Sequence, residues 1–171
     1  MMTSESQPGL TRDQVIAVRD ACLCLHVQRA ARALARQFDE AFRPFGLTNG
    51  QFSLLMALHQ ENPPTIGKLA PFLAMDRTTL TAALKPLERR GLVVTKPGEK
   101  DRRARHLHLT PEGRALMLRA HAVWVAAHAQ LDTRLLAEGI DPDAMRAGLT
   151  QLARPPADPP KDQPLAQGIT G

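Results

Sequence analysis

The chain has 171 residues, 22 Lys and Arg against 17 Asp and Glu for a net charge of +5, and 43% apolar residues, one domain's worth with enough apolar content for a core. No run of 18 apolar residues is present, and the start, MMTSESQPG, has neither a charged n-region nor an apolar h-region, so the expectation is a cytoplasmic protein with no membrane span. Two cysteines placed two positions apart cannot build a disulfide framework, and 4% aromatic residues with no tyrosine argue against single-strand binding by base stacking.

Residues 1–10 are expected to be disordered. From Thr11 to Phe42 the chain lacks glycine and proline and is predicted to be one long helix, ended by Pro44 and Gly46. Val15, Ile16, Val18, Ala21, Leu23 and Leu25 make it apolar over much of its girth. Cys22 and His26 stand at i, i+4, a spacing that can hold a metal or let an imidazole activate a thiolate, while Cys24 points elsewhere. The plainer assignment is two small apolar residues in an interface helix. Arg29, Arg32 and Arg36 share one face, either solvated or facing an anionic effector.

Thr48 opens a second helix with a capping box to Gln51 and a Leu47–Phe52 staple, running to about Gln60. Thr65 caps a short helix over Ile66–Leu73 that ends near Ala74. Asp76 then caps a longer one, with Leu80, Leu84 and Leu87 inward at i, i+4, i+7 and Gly91 as a left-handed stop. Short helix, tight turn and longer exposed helix make a helix-turn-helix. Opposite the three leucines stand Thr78, Ala82, Lys85 and Arg89, with Arg77 and Thr81 on the flank, and these with Thr79 are the candidate DNA-binding residues of the helix. Arg77 can pair bidentately with guanine, the threonines can hydrogen-bond base edges, and Ala82 can meet a thymine methyl. Lys85 and Arg89 lie further along, where phosphate contact is expected. Pro86 deletes a backbone donor inside this helix.

Leu92–Lys96 reads as a strand, Pro97 and Gly98 as the start of a turn, and His106–Leu109 as a second strand with Leu107 and Leu109 on one face. The loop between them holds Asp101, Arg102, Arg103 and Arg105. An arginine-tipped ribbon suits a minor groove, and Asp101 is close enough in sequence to pair with Arg103 or Arg105 and stiffen the tip. From Arg77 to Arg105 nine basic residues face three acidic ones, a local +6 that exceeds the charge of the whole chain. Such a concentration is the electrostatic footprint of a nucleic-acid reader.

Thr110-Pro111 starts a long helix to about Glu138, and Asp141-Pro142 a shorter one to about Ala153, followed by a proline-rich stretch (RPPADPPKDQPLAQGITG) expected to be disordered. Leu149 and Leu152, with the apolar residues of the first helix, are candidates for a subunit interface; the alternative is packing within one monomer. The pairs His106/His108 and His121/His128 lack a close third ligand in sequence, so no zinc site is expected. No phosphate loop, nucleophile elbow or paired-carboxylate motif occurs. The enzyme alternative reduces to a small thiol- or metal-dependent catalyst using Cys22 and His26, and the expectation is that the chain is not an enzyme.

The stretches LTNGQFSLLMAL, TIGKLAPFLAMDRTTLTAALKPLERRGLV and DRRARHLHLTPEG, from Leu47 to Gly113, resemble the MarR family of bacterial winged helix-turn-helix regulators, the DRR-x-R wing with L-x-L-T-x-x-G being the specific part. The resemblance implies a triangular homodimer. Each subunit would present its recognition helix to the major groove and its wing to the adjacent minor groove, and a small phenolic or other ligand, or thiol oxidation, would relieve repression. One branch of that family senses organic hydroperoxides through a cysteine in the first helix, a region comparable to that of Cys22, but supports the thiolate with tyrosine hydroxyls that are absent here. The expected fold is mainly α with a small β-hairpin wing, a winged helix-turn-helix domain plus N- and C-terminal dimerisation helices: 1–10 disordered, 11–46 dimerisation helix, 47–113 DNA-binding region, 114–153 dimerisation helices, 154–171 disordered tail. The expected function is a sequence-specific double-stranded DNA-binding regulator, a ligand-responsive repressor on a palindromic operator. It needs no cofactor and answers a small aromatic or anionic effector, or alternatively senses oxidation through Cys22.

Overall fold

Side-chain caps open most of the helices where the sequence placed them. The computed structural model describes residues 9–98 and 104–154; the expectations for Asp101, Arg102 and Arg103, and for residues 1–8 and 155–171, lie outside the described residues. In chain order the elements are α1 (Arg12–Ala21), α2 (Leu23–Phe42), a 3-10 turn (Arg43–Phe45), α3 (Asn49–Leu58), α4 (Ile66–Phe72), α5 (Arg77–Arg89), β1 (Val93–Pro97), β2 (Arg105–Leu109), α6 (Pro111–Ala137) and α7 (Pro142–Leu152). The hydroxyl of Thr48 accepts from the N–H of Gln51 while the Gln51 side chain accepts from the N–H of Thr48, a complete capping box. Asp76 opens α5, Thr110 opens α6 ahead of Pro111, and Asp141 opens α7 ahead of Pro142.

One core holds these elements together. Phe38 and Phe42 from α2 meet Phe52, Leu55 and Leu58 from α3, Leu69 from α4, Leu80, Leu84 and Leu87 from α5, Leu107 from β2, and Leu116 and Met117 from α6. Leu80 and Leu87 are fully buried, so the three-leucine spacing orients α5 and leaves its opposite side to solvent. Removing a buried leucine of this kind costs about 2–5 kcal/mol, against about 1 kcal/mol for a single cap.

The sheet is a two-stranded antiparallel ribbon pairing Val93 with Leu109 through to Pro97 with Arg105. Pro97 is thus the last rung of β1 rather than part of the turn, and Gly98 N–H reaches Ala104 O at 2.8 Å. Thr65 occupies the N-cap of α4 but its hydroxyl makes no capping bond. Its backbone instead bridges to His106, and Leu107 N–H donates to Pro64 O at 2.9 Å, a single bridge on the other side of β2 that joins the wing to the helix-turn-helix.

The single long N-terminal helix expected from the sequence is broken in two. Cys22 takes an extended conformation (φ −73°, ψ 98°) between α1 and α2, and its thiol accepts from the N–H of Leu25. The His26 ring lies 3.1 Å from the carbonyl of Asp20 in the last turn of α1. Local side-chain bonds therefore replace the continuous backbone ladder. Nothing outweighs them, because α1 buries no residue in the monomer.

Ala74, in the turn between α4 and α5, sits at φ 51°. That left-handed conformation costs an alanine roughly 1–2 kcal/mol that glycine escapes, against about 0.5–1 kcal/mol for the greater unfolded-state freedom of glycine. Because Ala74 is exposed, its methyl has little packing to lose. Ala74→Gly should raise stability by about 0.5–1 kcal/mol, read as a higher urea midpoint at unchanged slope. A lower midpoint would show that the methyl supports the turn.

Candidate nucleic-acid interface

The outward side of α5 carries Arg77, Thr78, Thr79, Thr81, Ala82, Lys85 and Arg89, all exposed. Among the described residues neither Lys85 nor Arg89 has a carboxylate within ion-pair distance, so both charges are available to an incoming anion. The three threonines differ. Thr79 donates its hydroxyl to Asp76 at 2.6 Å and its N–H to the same carboxylate at 2.8 Å, which holds the Asp76 carboxyl below the usual carboxylate range. Thr81 donates to the carbonyl of Arg77 at 2.7 Å. Thr78 has no such internal bond among the described residues, which leaves its hydroxyl open to an incoming partner.

Arg77 does not stand free. Its guanidinium lies over α4, with Nη2 3.4 Å from where a Cβ at Gly67 would be. A Cβ at position 67 would be in van der Waals contact with the guanidinium, which places Arg77 against α4. At the other end Glu88 accepts from the hydroxyl of Thr95 at 2.6 Å and ties α5 to β1.

Of the predicted wing residues only Arg105 is among the described ones. It is exposed at the start of β2, opposite Pro97, on the strand that leads to the tip. Behind it the His106 ring lies 2.8 Å from the Pro63 carbonyl. Burial, and then the positive fields of Lys96 and His106, hold the neighbouring His108 below the usual histidine range.

The structure gives Cys22 and His26 different partners, Leu25 N–H and Asp20 O respectively, at the break between α1 and α2 rather than on one helix face. Cys24 is exposed. His121, Trp124 and His128 form an aromatic stack on α6, with His128 4.0 Å from Trp124 and 4.5 Å from Phe38 between ring centroids. Among the described residues no group of three His, Cys, Asp or Glu side chains is placed to hold a metal. Arg29, Arg32 and Arg36 are exposed along α2. A cleft of about 400 Å³ opens between α3, α4 and α6, lined by Phe52, Met56, Phe72, His121 and Trp124.

Two residues that position the site were not singled out for this role by sequence reasoning. Arg90, counted there only as a charge, turns away from the outward face of α5 and donates to the carbonyls of Gly46 at 2.5 Å and Phe45 at 3.2 Å. Gly113 lies so close to the backbone just ahead of β1 that a Cβ would stand 2.0 Å from the Leu92 carbonyl oxygen. The glycine of L-x-L-T-x-x-G was the only signal for it, and the spacing becomes intelligible once Thr110 is seen to donate to Gly91 O at 2.7 Å in the same corner.

Comparison with known proteins agrees with this geometry. The MarR family model matches residues 47–104. The chain is 30% identical over 98 residues to the organic hydroperoxide resistance transcriptional regulator of Bacillus subtilis, covering 57% of this chain and 67% of that one. It is also 30% identical over 95 residues to the regulator MgrA of Staphylococcus aureus, covering 55% and 65%. These alignments span about two thirds of the curated relatives' length. The M. tuberculosis transcriptional regulator MosR in complex with DNA superposes with a TM-score of 0.69 at 35% identity, covering 77% of this chain and 93% of that one. The repressor CouR bound to a 23-mer DNA duplex gives 0.70 at 30% identity, covering 86% and 100%. These relatives are regulators and not enzymes. With a mainly helical fold, a two-stranded wing and an exposed basic face on the second helix of a helix-turn-helix, the chain belongs to the MarR family of winged-helix, DNA-binding transcriptional regulators.

Proposed function

We propose that this regulator acts as a cytoplasmic homodimer on a palindromic operator, as a repressor released by a small aromatic or anionic ligand. The observation that carries the dimer is unpartnered apolar surface at both ends of the chain. Val15, Val18 and Leu23 are exposed on α1 and α2, and Leu149 and Leu152 on α7, while α1 buries nothing at all. A single DNA-reading helix per chain gains its second half-site from two-fold symmetry. Residues 47–113 read DNA and residues 11–46 and 114–153 pair the subunits. An effector finds room in the aromatic-lined cleft beside Trp124. The solved structure of CouR with p-coumaroyl-CoA, 26% identical to this chain, supports an aromatic ligand. Sedimentation of the protein with a duplex it protects tests the assembly: two chains per symmetric site support it, and one chain binding at full affinity contradicts it.

Within the interface, Arg77 and Thr78 read bases, with Thr79, Thr81 and Ala82 shaping the same face. Lys85 and Arg89 meet phosphates, and Arg102, Arg103 and Arg105 enter the minor groove, with Asp101 stiffening the tip. Arg77→Ala or Thr78→Ala should relax base discrimination by about 1–3 kcal/mol for a lost bidentate or base-edge contact. Lys85→Ala should weaken all sequences about equally and reduce the slope of log affinity against log salt by about one unit. Equal loss on specific and random duplexes for Arg77→Ala would make that residue a phosphate contact instead.

A second reading, oxidation sensing through Cys22, is favoured by the thiol's position. It caps α2 at the only break in the N-terminal arm among the described residues, where oxidation would remove the cap. The match to a hydroperoxide-resistance regulator points the same way. Peroxide should then release DNA from wild type and not from Cys22→Ser; release from both would reject it.

A further inference from the structure

We infer that Arg90 is a positioning residue that sets the pose of the recognition helix against the dimer arms, rather than a DNA contact. Arg90 is the C-cap of α5. Its guanidinium spans to two successive carbonyls some 45 residues earlier, Phe45 and Gly46. Phe45 ends the 3-10 turn that continues α2, and Gly46 is its left-handed cap at φ 61°. The planar fork of an arginine suits two adjacent oxygens as an ammonium does not. The end of the DNA-reading helix is therefore fastened to the end of the N-terminal arm.

The same corner is fastened to the C-terminal arm. One residue on, Gly91 O accepts from the Thr110 hydroxyl at 2.7 Å, and Leu92 O accepts from Thr110 N–H at 3.1 Å. Thr110 is the cap of α6. Within three residues, Arg90 to Leu92, the chain leaving α5 is bonded to the foot of α2 and to the head of α6. The bodies that α2 and α6 belong to are the ones that pair the subunits under the proposed function, on which this inference rests. A rotation of either arm must then tilt α5, and Arg90 is the side chain that transmits the α2 half of that motion. Cutting this tether leaves the DNA-facing side chains in place but frees the helix to sample tilts, so each half-site docks less selectively in the register that the dimer imposes.

Duplexes enriched by wild type from a random-sequence pool, together with versions carrying one base pair inserted or deleted at the centre of symmetry, supply the test. Arg90→Met keeps the aliphatic stem and removes the fork; Arg90→Lys keeps the charge. We expect Arg90→Met to bind the enriched duplex about tenfold more weakly, the order of one charged hydrogen bond. Its salt slope should be unchanged, and its preference for the native spacing over the altered spacings should be reduced. Arg90→Lys should fall between. Uniform weakening with a slope flattened by about one unit, restored by lysine, would make Arg90 a phosphate contact and overturn the inference. So would a lower melting temperature with unchanged affinity and spacing preference. If wild type itself enriches single half-sites, the dimer reading fails separately, and the tether is then decided by affinity and slope: a weaker Arg90→Met with unchanged slope keeps it, and any other result rejects it.

Discussion

Gly113→Ala is expected to destabilise the protein by about 3 kcal/mol or more and to abolish DNA binding with it. The added methyl would stand 2.0 Å from Leu92 O, with the Leu92 carbonyl carbon and Cα at 2.9 and 3.2 Å. All three are backbone atoms, so no rotamer change relieves the clash and α6 must move off the backbone at Leu92, just ahead of β1. That movement breaks the bond from Thr110 N–H to Leu92 O and lifts Leu116 and Met117 from the core. Gly148, also helical but in α7, is the internal control, because a Cβ there meets nothing within 4 Å. Gly148→Ala should stabilise by about 0.5–1 kcal/mol through helix propensity alone. Urea melts of the two variants should move in opposite directions, and a Gly113→Ala protein melting like wild type would show that α6 stands further from Leu92.

Val18→Asp is expected to leave the monomer folded and to remove dimerisation and operator binding together. Val18 is 63% exposed in the single chain and contributes little to its core, so a polar substitution there should change monomer stability by no more than about 0.5 kcal/mol. In a two-fold interface the same change places two carboxylates among apolar side chains, each unpaired and desolvated at a cost of about 2–5 kcal/mol. Sedimentation velocity should show one species of half the mass, and gel shifts on the protected duplex should weaken at least about a hundredfold. A Val18→Asp protein that remains dimeric would move the interface away from α1.

Much of the exposed face of α5 was legible in the sequence because its signals are local. Leu80, Leu84 and Leu87 repeat on one side of a helix, Asp76 and Gly91 mark its ends, and the outward residues follow by geometry. Thr79 shows where local reading fell short. Three positions after Asp76 its hydroxyl and N–H are both bonded to the capping carboxylate. The break at Cys22 carried no proline or glycine to announce it. It arises from a thiol and an imidazole competing with the backbone on an arm that the monomer leaves unpacked. Arg90 and Gly113 depend on contacts across 44 and about 20 residues, and no periodicity predicts them. The left-handed Ala74 was hidden for the opposite reason: the turn needs that conformation, and the residue occupying it is not the glycine that would have marked it.

Under the proposed function two copies of α5, related by a two-fold axis, read one DNA site from successive turns of the same face. Sequences enriched by the wild-type protein from a random duplex pool test this most directly. The expected result is an inverted repeat with half-site centres roughly one helical turn apart, about 10–10.5 base pairs or a multiple, whose selection is lost in Val18→Asp. Enrichment of a single asymmetric half-site, equally by wild type and Val18→Asp, would contradict it.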